Sequence, residues 1–141
     1  MAYTYLITGA TSDVGAALIR RLLTEAPSED RTILAQGCGD RARLDALVQQ
    51  FPGRIVTFDA DLSSPEAVDA LCARFGKDLP CPTHFVHLPA LPVVNAKFKA
   101  FDEARFQKDW EIQVHSAVKL CKAVLPAMSK AKFGRVLFIQ T

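Results

Sequence analysis

No stretch of about 18 apolar residues occurs in the 141 positions, so a transmembrane helix is not expected. An excess of one charge sign is missing too. Seventeen Lys and Arg stand against fifteen Asp and Glu, and the net charge is +2. Acids and bases are intermixed along the chain, which argues against a nucleic-acid or polyanion partner, whose binders carry a basic stripe. Four cysteines are present, but Cys38, Cys72, Cys81 and Cys121 form no CxxC pair and no zinc-type spacing. No metal site is expected, and the four read as separate small hydrophobes or thiols in a reducing compartment. The opening MAYTYLITGA has no charged n-region and runs straight into a strand pattern, so no signal peptide is expected and a cytoplasmic location follows. Repeats, low-complexity tracts and linkers are also absent. One domain, residues 1–141, is the expectation.

What is present is an alternation. Half of the residues are apolar, enough for a true core. Tyr3 to Thr8 reads as a strand, rich in aromatic and β-branched residues. A glycine turn follows from Gly9 to Gly15, and Val14, Ala17, Leu18, Leu22 and Leu23 then recur at helical spacing. Pro27-Ser28-Glu29-Asp30 breaks that helix. Arg31 to Ala35 is a second strand, ending at Gly37-Cys38-Gly39, and Leu44, Leu47 and Val48 mark a second helix that stops at Pro52-Gly53.

Arg54 to Phe58 is a third strand. Ser63-Ser64-Pro65-Glu66 is a helix start, combining a capping hydroxyl, a proline suited to the first turn and an acid at the positive end of the dipole. Val68, Leu71, Cys72 and Phe75 supply its apolar face. His84 to Leu88 is a fourth strand, and a long helix covers about Glu103 to Met128, with room for a break near its start. Gly134 precedes a fifth strand, Arg135 to Ile139. Strands alternating with helices predict a parallel sheet covered on both faces, with right-handed crossovers. The expected doubly wound order is 3-2-1-4-5, with a ligand crevice at the switch point between the first and fourth strands.

The first turn, Thr8-Gly9-Ala10-Thr11-Ser12-Asp13-Val14-Gly15, carries the most chemistry. Glycine lets the backbone reverse after the strand. The helix that follows points free N–H groups into the crevice, which suits a pyrophosphate. Spacing alone leaves two readings open, a nucleotide cradle or a structural strand-to-helix turn.

This turn resembles the TGxxxGxG turn of the short-chain dehydrogenase/reductase family, with Gly9 and Gly15 as the first and third glycines. Asp13 replaces the middle glycine. A carboxylate turned outward leaves the site open, and one turned inward repels phosphates. Asp59-Ala60-Asp61-Leu62 resembles the family's segment after the third strand, with Asp61 at the adenine-contacting position. His87-Leu88-Pro89-Ala90 stands where the family has Asn-Asn-Ala-Gly. Leu125-Pro126-Ala127-Met128 and the Gly134 to Ile139 strand resemble the end of the family's fifth helix and the strand beyond. The similarity runs collinearly through the whole chain.

The resemblance implies a three-layer αβα Rossmann-like domain, incomplete at its C-terminal side, and an NAD(P)-dependent oxidoreductase that reduces a carbonyl or oxidises an alcohol. A 3-oxoacyl-thioester reductase is one such activity. The implied cofactor contacts are Gly9, Thr11, Ser12, Asp13, Val14, Gly15, Cys38, Arg41, Asp61, Leu62, Leu88, Pro89 and Ala90. In the family, an acid near Gly37 selects NAD and a base near Cys38 selects NADP. Neither stands there, but Arg41 and Arg43 lie just beyond, against one acid, Asp40, so NADP is slightly favoured over NAD.

Of the family's Asn, Ser, Tyr and Lys, the first position falls on Gln113 and the second on Thr141. These keep an amide and a hydroxyl for general acid–base chemistry beside a hydride donor. The Tyr-x-x-x-Lys pair would lie past Thr141, and Tyr3 and Tyr5 sit on the first strand. The 141 residues are therefore expected to bind cofactor without turnover, as part of a longer reductase. His87 lies at the mouth of the crevice. The fifth-helix residues Phe106, Trp110, Val114, Val118 and Leu120 face either the core or a second copy, in a homodimer or homotetramer. The alternative function is a non-catalytic nucleotide-binding or interaction protein.

Overall fold

In the computed structural model, which describes residues 2–139, five parallel strands form one sheet in the order β3-β2-β1-β4-β5. The strands are β1 (Ala2–Thr8), β2 (Asp30–Gly37), β3 (Ile55–Asp59), β4 (His84–His87) and β5 (Arg135–Phe138). The helices are α1 (Asp13–Thr24), α2 (Ala42–Gln50), α3 (Pro65–Cys72), α4 (Glu103–Trp110) and α5 (Ser116–Ala131). Both the expected order and the doubly wound αβα layering are found.

Alternation along the strands builds two cores. On β1, Tyr5 and Ile7 face one way, packing with Ile33 and Ala35 of β2 against Ile19 and Leu23 of α1 and Leu44 and Leu47 of α2. Leu6 faces the other way, packing with Leu34, Phe58 and Phe85 against Val68 and Leu71 of α3 and Leu120, Val124 and Met128 of α5. A strand with helices on both sides has no solvent face, which is why β1 and β2 read as apolar runs.

Two readings need correction. The buried side of α1 is Gly15, Ala16, Ile19 and Leu23, while Val14 and Ala17 are exposed. The helical stripe is shifted because Val14, in the first turn, points into the crevice instead of the core. The long helix does not break near its start. A π-helical stretch, Glu111–His115, separates α4 from α5, and α5 runs on to Ala131. The fifth strand is the sheet edge and all of its residues are exposed.

No helix among the described residues is long and apolar enough to cross a membrane. The four cysteines are unbridged, with Cys38 and Cys81 exposed and Cys72 and Cys121 half-buried.

Candidate dinucleotide crevice

β1 and β4 pair in register from Tyr5↔His84 to Thr8↔His87, and their C-terminal ends open on a cavity of about 490 Å³. Its wall brings together Gly9, Thr11, Ser12 and Val14 from the first turn and Cys38 from the end of β2. Asp61 and Leu62 come from beyond β3, and Leu88, Pro89 and Ala90 from beyond β4. The crevice at the switch point thus collects ten of the residues singled out from sequence.

The turn is built backbone against backbone. Gly9 has φ +71°, and a Cβ there would stand 2.9 Å from the Pro89 nitrogen. A Cβ on Gly15 would stand 2.7 Å from the Gly9 carbonyl oxygen. Both positions exclude any side chain, because L-residues disfavour the first conformation and contacts under 3.0 Å force the backbone apart. The Ser12 hydroxyl caps α1 by accepting from the Gly15 N–H at 3.0 Å, and it donates to the Gly9 carbonyl at 2.8 Å. The N–H groups of Asp13 and Val14 lie in the first helical turn, where no intrahelical acceptor exists. That leaves donors and the positive end of the helix dipole at the crevice.

Gln36, which the sequence reading did not single out, holds this turn in place. It is 2% exposed and lines the crevice. Its Oε1 accepts from the Gly9 N–H at 2.8 Å, and its Nε2 donates to the Ala60 carbonyl at 2.8 Å and to the Gly37 carbonyl at 3.2 Å. One amide thereby ties the glycine turn, the end of β2 and the segment beyond β3. No motif announces it. The only signal is a polar residue directly after the apolar run Ile33-Leu34-Ala35 of β2, where it demands buried partners.

Asp13 turns away from the crevice. Its side chain is 90% exposed and its Oδ1 lies 2.8 Å from Nη2 of Arg43, whose Nη1 donates to the Thr11 carbonyl at 3.1 Å. Of the two alternatives, the outward carboxylate is the one found. Arg41 is also engaged, with Nη1 3.1 Å from Asp59 Oδ1, and its buried Nε finds no acceptor. Asp13, Arg41 and Gly15 are therefore not part of the cavity wall. Asp61 accepts from the Ser63 hydroxyl at 2.6 Å and the Ser63 N–H at 2.9 Å, and these bonds hold its carboxyl below the usual carboxylate range. The cap of α3 is Ser64, not Asp61.

His87 is 3% exposed and is a structural strut. Its Nδ1 is 2.7 Å from the Thr8 hydroxyl and its Nε2 3.0 Å from the Ile112 carbonyl, in the π-helical stretch. An N–H on Nε2 satisfies the carbonyl and leaves Nδ1 to accept from Thr8, so the neutral Nε2–H ring fits both bonds. Burial pushes its pKa below that of an ordinary histidine.

Gln113 lies on the same π-helical stretch, its Nε2 donating to Asp109 Oδ2 at 2.7 Å. It lines two neighbouring cavities, of about 660 and 340 Å³, and not the glycine crevice. Thr141 lies outside the described residues. Among the described residues, no three His, Cys, Asp or Glu side chains come together as a metal site.

A parallel sheet of order 3-2-1-4-5 with a glycine turn at its switch point defines the dinucleotide-fold class. Within that class the chain belongs to the short chain dehydrogenase family, whose family model matches residues 3–141. It is 24% identical over 137 residues to a fatty acyl-CoA reductase of Acinetobacter baylyi, covering 96% of this chain and 46% of the relative. The chain thus spans about half the length of the curated relative it matches. A short-chain dehydrogenase from Streptomyces avermitilis superposes with a TM-score of 0.81 at 26% identity, over 99% of this chain and 49% of that one. A metagenomic short-chain oxidoreductase in complex with NADP superposes with a TM-score of 0.84 at 20% identity, over 99% and 62%.

Proposed function

We propose that the crevice binds a nicotinamide dinucleotide and that the protein is an NAD(P)-dependent oxidoreductase acting on a carbonyl or alcohol. The observation that carries this reading is the Gly9–Gly15 turn, closed so tightly that neither glycine tolerates a Cβ, with the open N-terminus of α1 behind it. Such a cradle, with free N–H groups at the helix start, fits a diphosphate. In this assignment Gly9, Thr11, Ser12 and Val14 hold the diphosphate, and Gly15 lets α1 pack close behind the turn. Cys38 borders the adenosine ribose, with Arg41 farther out, Asp61 and Leu62 border the adenine, and Leu88, Pro89 and Ala90 the nicotinamide ribose. The nicotinamide ring, when bound, supplies or accepts a hydride.

For the reacting carbonyl, Thr141 is assigned to polarise the oxygen and Gln113 to order the water that relays its proton. One of its N–H groups is held by Asp109, which leaves the Oε1 and the second N–H for that water. NADP is assigned over NAD because neither Gly37 nor Cys38 is an acid and two bases, Arg41 and Arg43, stand just beyond against one acid, Asp40, and the NADP-bound structural relative supports this. An acyl thioester is the assigned substrate class, supported by the fatty acyl-CoA reductase relative. The apolar outer surface of α4 and α5, where Phe106, Trp110, Val114 and Val118 are exposed while Leu120 is buried, is assigned to a second copy in a homodimer or homotetramer in the cytoplasm.

The test is NADPH oxidation by the protein as its source makes it, with acyl thioesters and ketones as oxidants. Turnover that Gly15→Val abolishes supports the enzyme reading. Dinucleotide binding without turnover on any carbonyl favours the alternative, a nucleotide-binding protein without chemistry, which the placement of Gln113 outside the glycine crevice supports.

A further inference from the structure

We infer that Asp13 is a specificity-determining residue, which sets the choice between the two nicotinamide dinucleotides through Arg43. The inference rests on the reading of the crevice as a dinucleotide site.

Three observations lead to it. First, the strand end carries no ribose-binding acid. Gly37 and Cys38 stand there, and a side chain on Gly37 would have to displace the Thr11 methyl, 2.8 Å from its Cβ. The charges able to discriminate at this rim sit farther out.

Second, the charged groups around the end of β2 are already engaged, while Lys108 also lines the crevice. Asp40 accepts from the Ala42 N–H at 2.9 Å, Asp59 meets Arg41 at 3.1 Å, and Asp61 is held by Ser63 at 2.6 Å. Arg43 is shared between Asp13 and the Thr11 carbonyl.

Third, these engagements differ in how readily they exchange. Asp13 is 90% exposed and Arg43 half-exposed, so their pair is solvated and cheap to open. The bond to the Thr11 carbonyl keeps the guanidinium over the turn when Asp13 lets go. Both a phosphate and a carboxylate can pair two oxygens with a guanidinium, but a phosphate monoester carries up to two negative charges against one.

A 2′-phosphate at this rim therefore competes with Asp13 for Arg43 and is repelled by the Asp13 charge. NAD carries no such group and makes no demand on the pair. Asp13 thus weakens NADP binding selectively. It narrows the preference for NADP that the two rim arginines give, and it acts at the 2′ position, although it occupies a position in the turn that usually concerns the diphosphate.

The experiment is a double-mutant cycle on the protein as its source makes it, reading dissociation constants for NADPH and NADH by nicotinamide fluorescence. Asp13→Asn is expected to tighten NADPH about two- to fivefold, the worth of an exposed ion pair, and to leave NADH unchanged. Arg43→Gln is expected to weaken NADPH and spare NADH. In the Arg43→Gln background the gain from Asp13→Asn should shrink. Weaker NADPH binding in Asp13→Asn would overturn the inference, as would an equal change for both dinucleotides or an undiminished gain without Arg43. If the wild-type protein binds neither dinucleotide, the crevice assignment itself fails and this inference with it. If it binds both and the variants leave the ratio alone, only the role of Asp13 fails.

Discussion

The imidazole of His87 stands 2.7 Å from the hydroxyl of Thr8, across the β1–β4 pair that flanks the crevice. Its other nitrogen reaches the Ile112 carbonyl at 3.0 Å, so one ring connects the strand that leads into the glycine turn with the π-helical stretch that carries Gln113. His87→Phe keeps a ring of similar size and removes both bonds. Thr8 retains the Val86 carbonyl as an acceptor at 3.3 Å, and the Ile112 carbonyl keeps the Ser116 hydroxyl as a donor at 2.6 Å, so neither group is orphaned. A loss of about 0.5–1.5 kcal/mol per bond is expected, read as a lower midpoint in urea unfolding. An unchanged midpoint would show that the ring contributes packing only.

The same residue gives stability a pH dependence. Burial lowers the His87 pKa in the folded state, so between the folded value and the ordinary one near 6.5 the unfolded chain binds more protons. The stabilisation is complete above about pH 6.5, is lost as pH falls toward the folded pKa, and levels off below it. His84, also half-buried and lowered by desolvation with Arg135 and Arg31 nearby, adds in the same direction. Urea midpoints between pH 7.5 and 5 should therefore fall less steeply in His87→Asn than in the wild type. Equal slopes would mean that His87 takes up no differential proton on unfolding.

Gln36→Ala should leave the Gly9 N–H and the Ala60 carbonyl without their partners at 2.8 Å. A loss of about 1–3 kcal/mol is expected, with weaker dinucleotide binding because the turn loses its inner tether. Gln36→Glu should be worse, since a carboxylate would face two carbonyl oxygens. Thermal melts with and without NADPH report both effects. A melt unaffected by Gln36→Ala would remove the tether from the account.

Gly15→Ala should force α1 away from the first turn, because its Cβ would meet the Gly9 carbonyl at 2.7 Å. Overpacking of this kind costs about 1–3 kcal/mol, and dinucleotide affinity should drop with it. Gly53→Ala is the control. Gly53 has φ +73° with open space around it, so it should lose a little stability and no affinity. Equal affinities in the two variants would contradict the cradle.

The order of the sheet was legible because alternating strands and helices permit few arrangements, and apolar β1 and β2 required cover on both faces. The glycine turn was legible because Gly9 and Gly15 serve local backbone geometry. Gln36 was not, because its partners come from two distant turns and nothing nearby marks them. The direction of Asp13 depends on Arg43, a residue of another helix that reads in sequence as a phosphate ligand of its own. The π-helical stretch at Glu111–His115 escaped because a local change of helical register leaves the apolar spacing of the long helix largely intact. The helix face of α1 was misjudged at Val14, whose apolar side chain serves the crevice rather than the core.

The most direct test of the central claim is calorimetric titration of the protein with NADPH and NADH, with Gly15→Val alongside. The account predicts saturable one-site binding of at least one dinucleotide to the wild type and its loss in the variant, whose side chain would fill the space between α1 and the Gly9 carbonyl. Absence of binding to a folded wild-type protein, or undiminished binding to folded Gly15→Val, would contradict it.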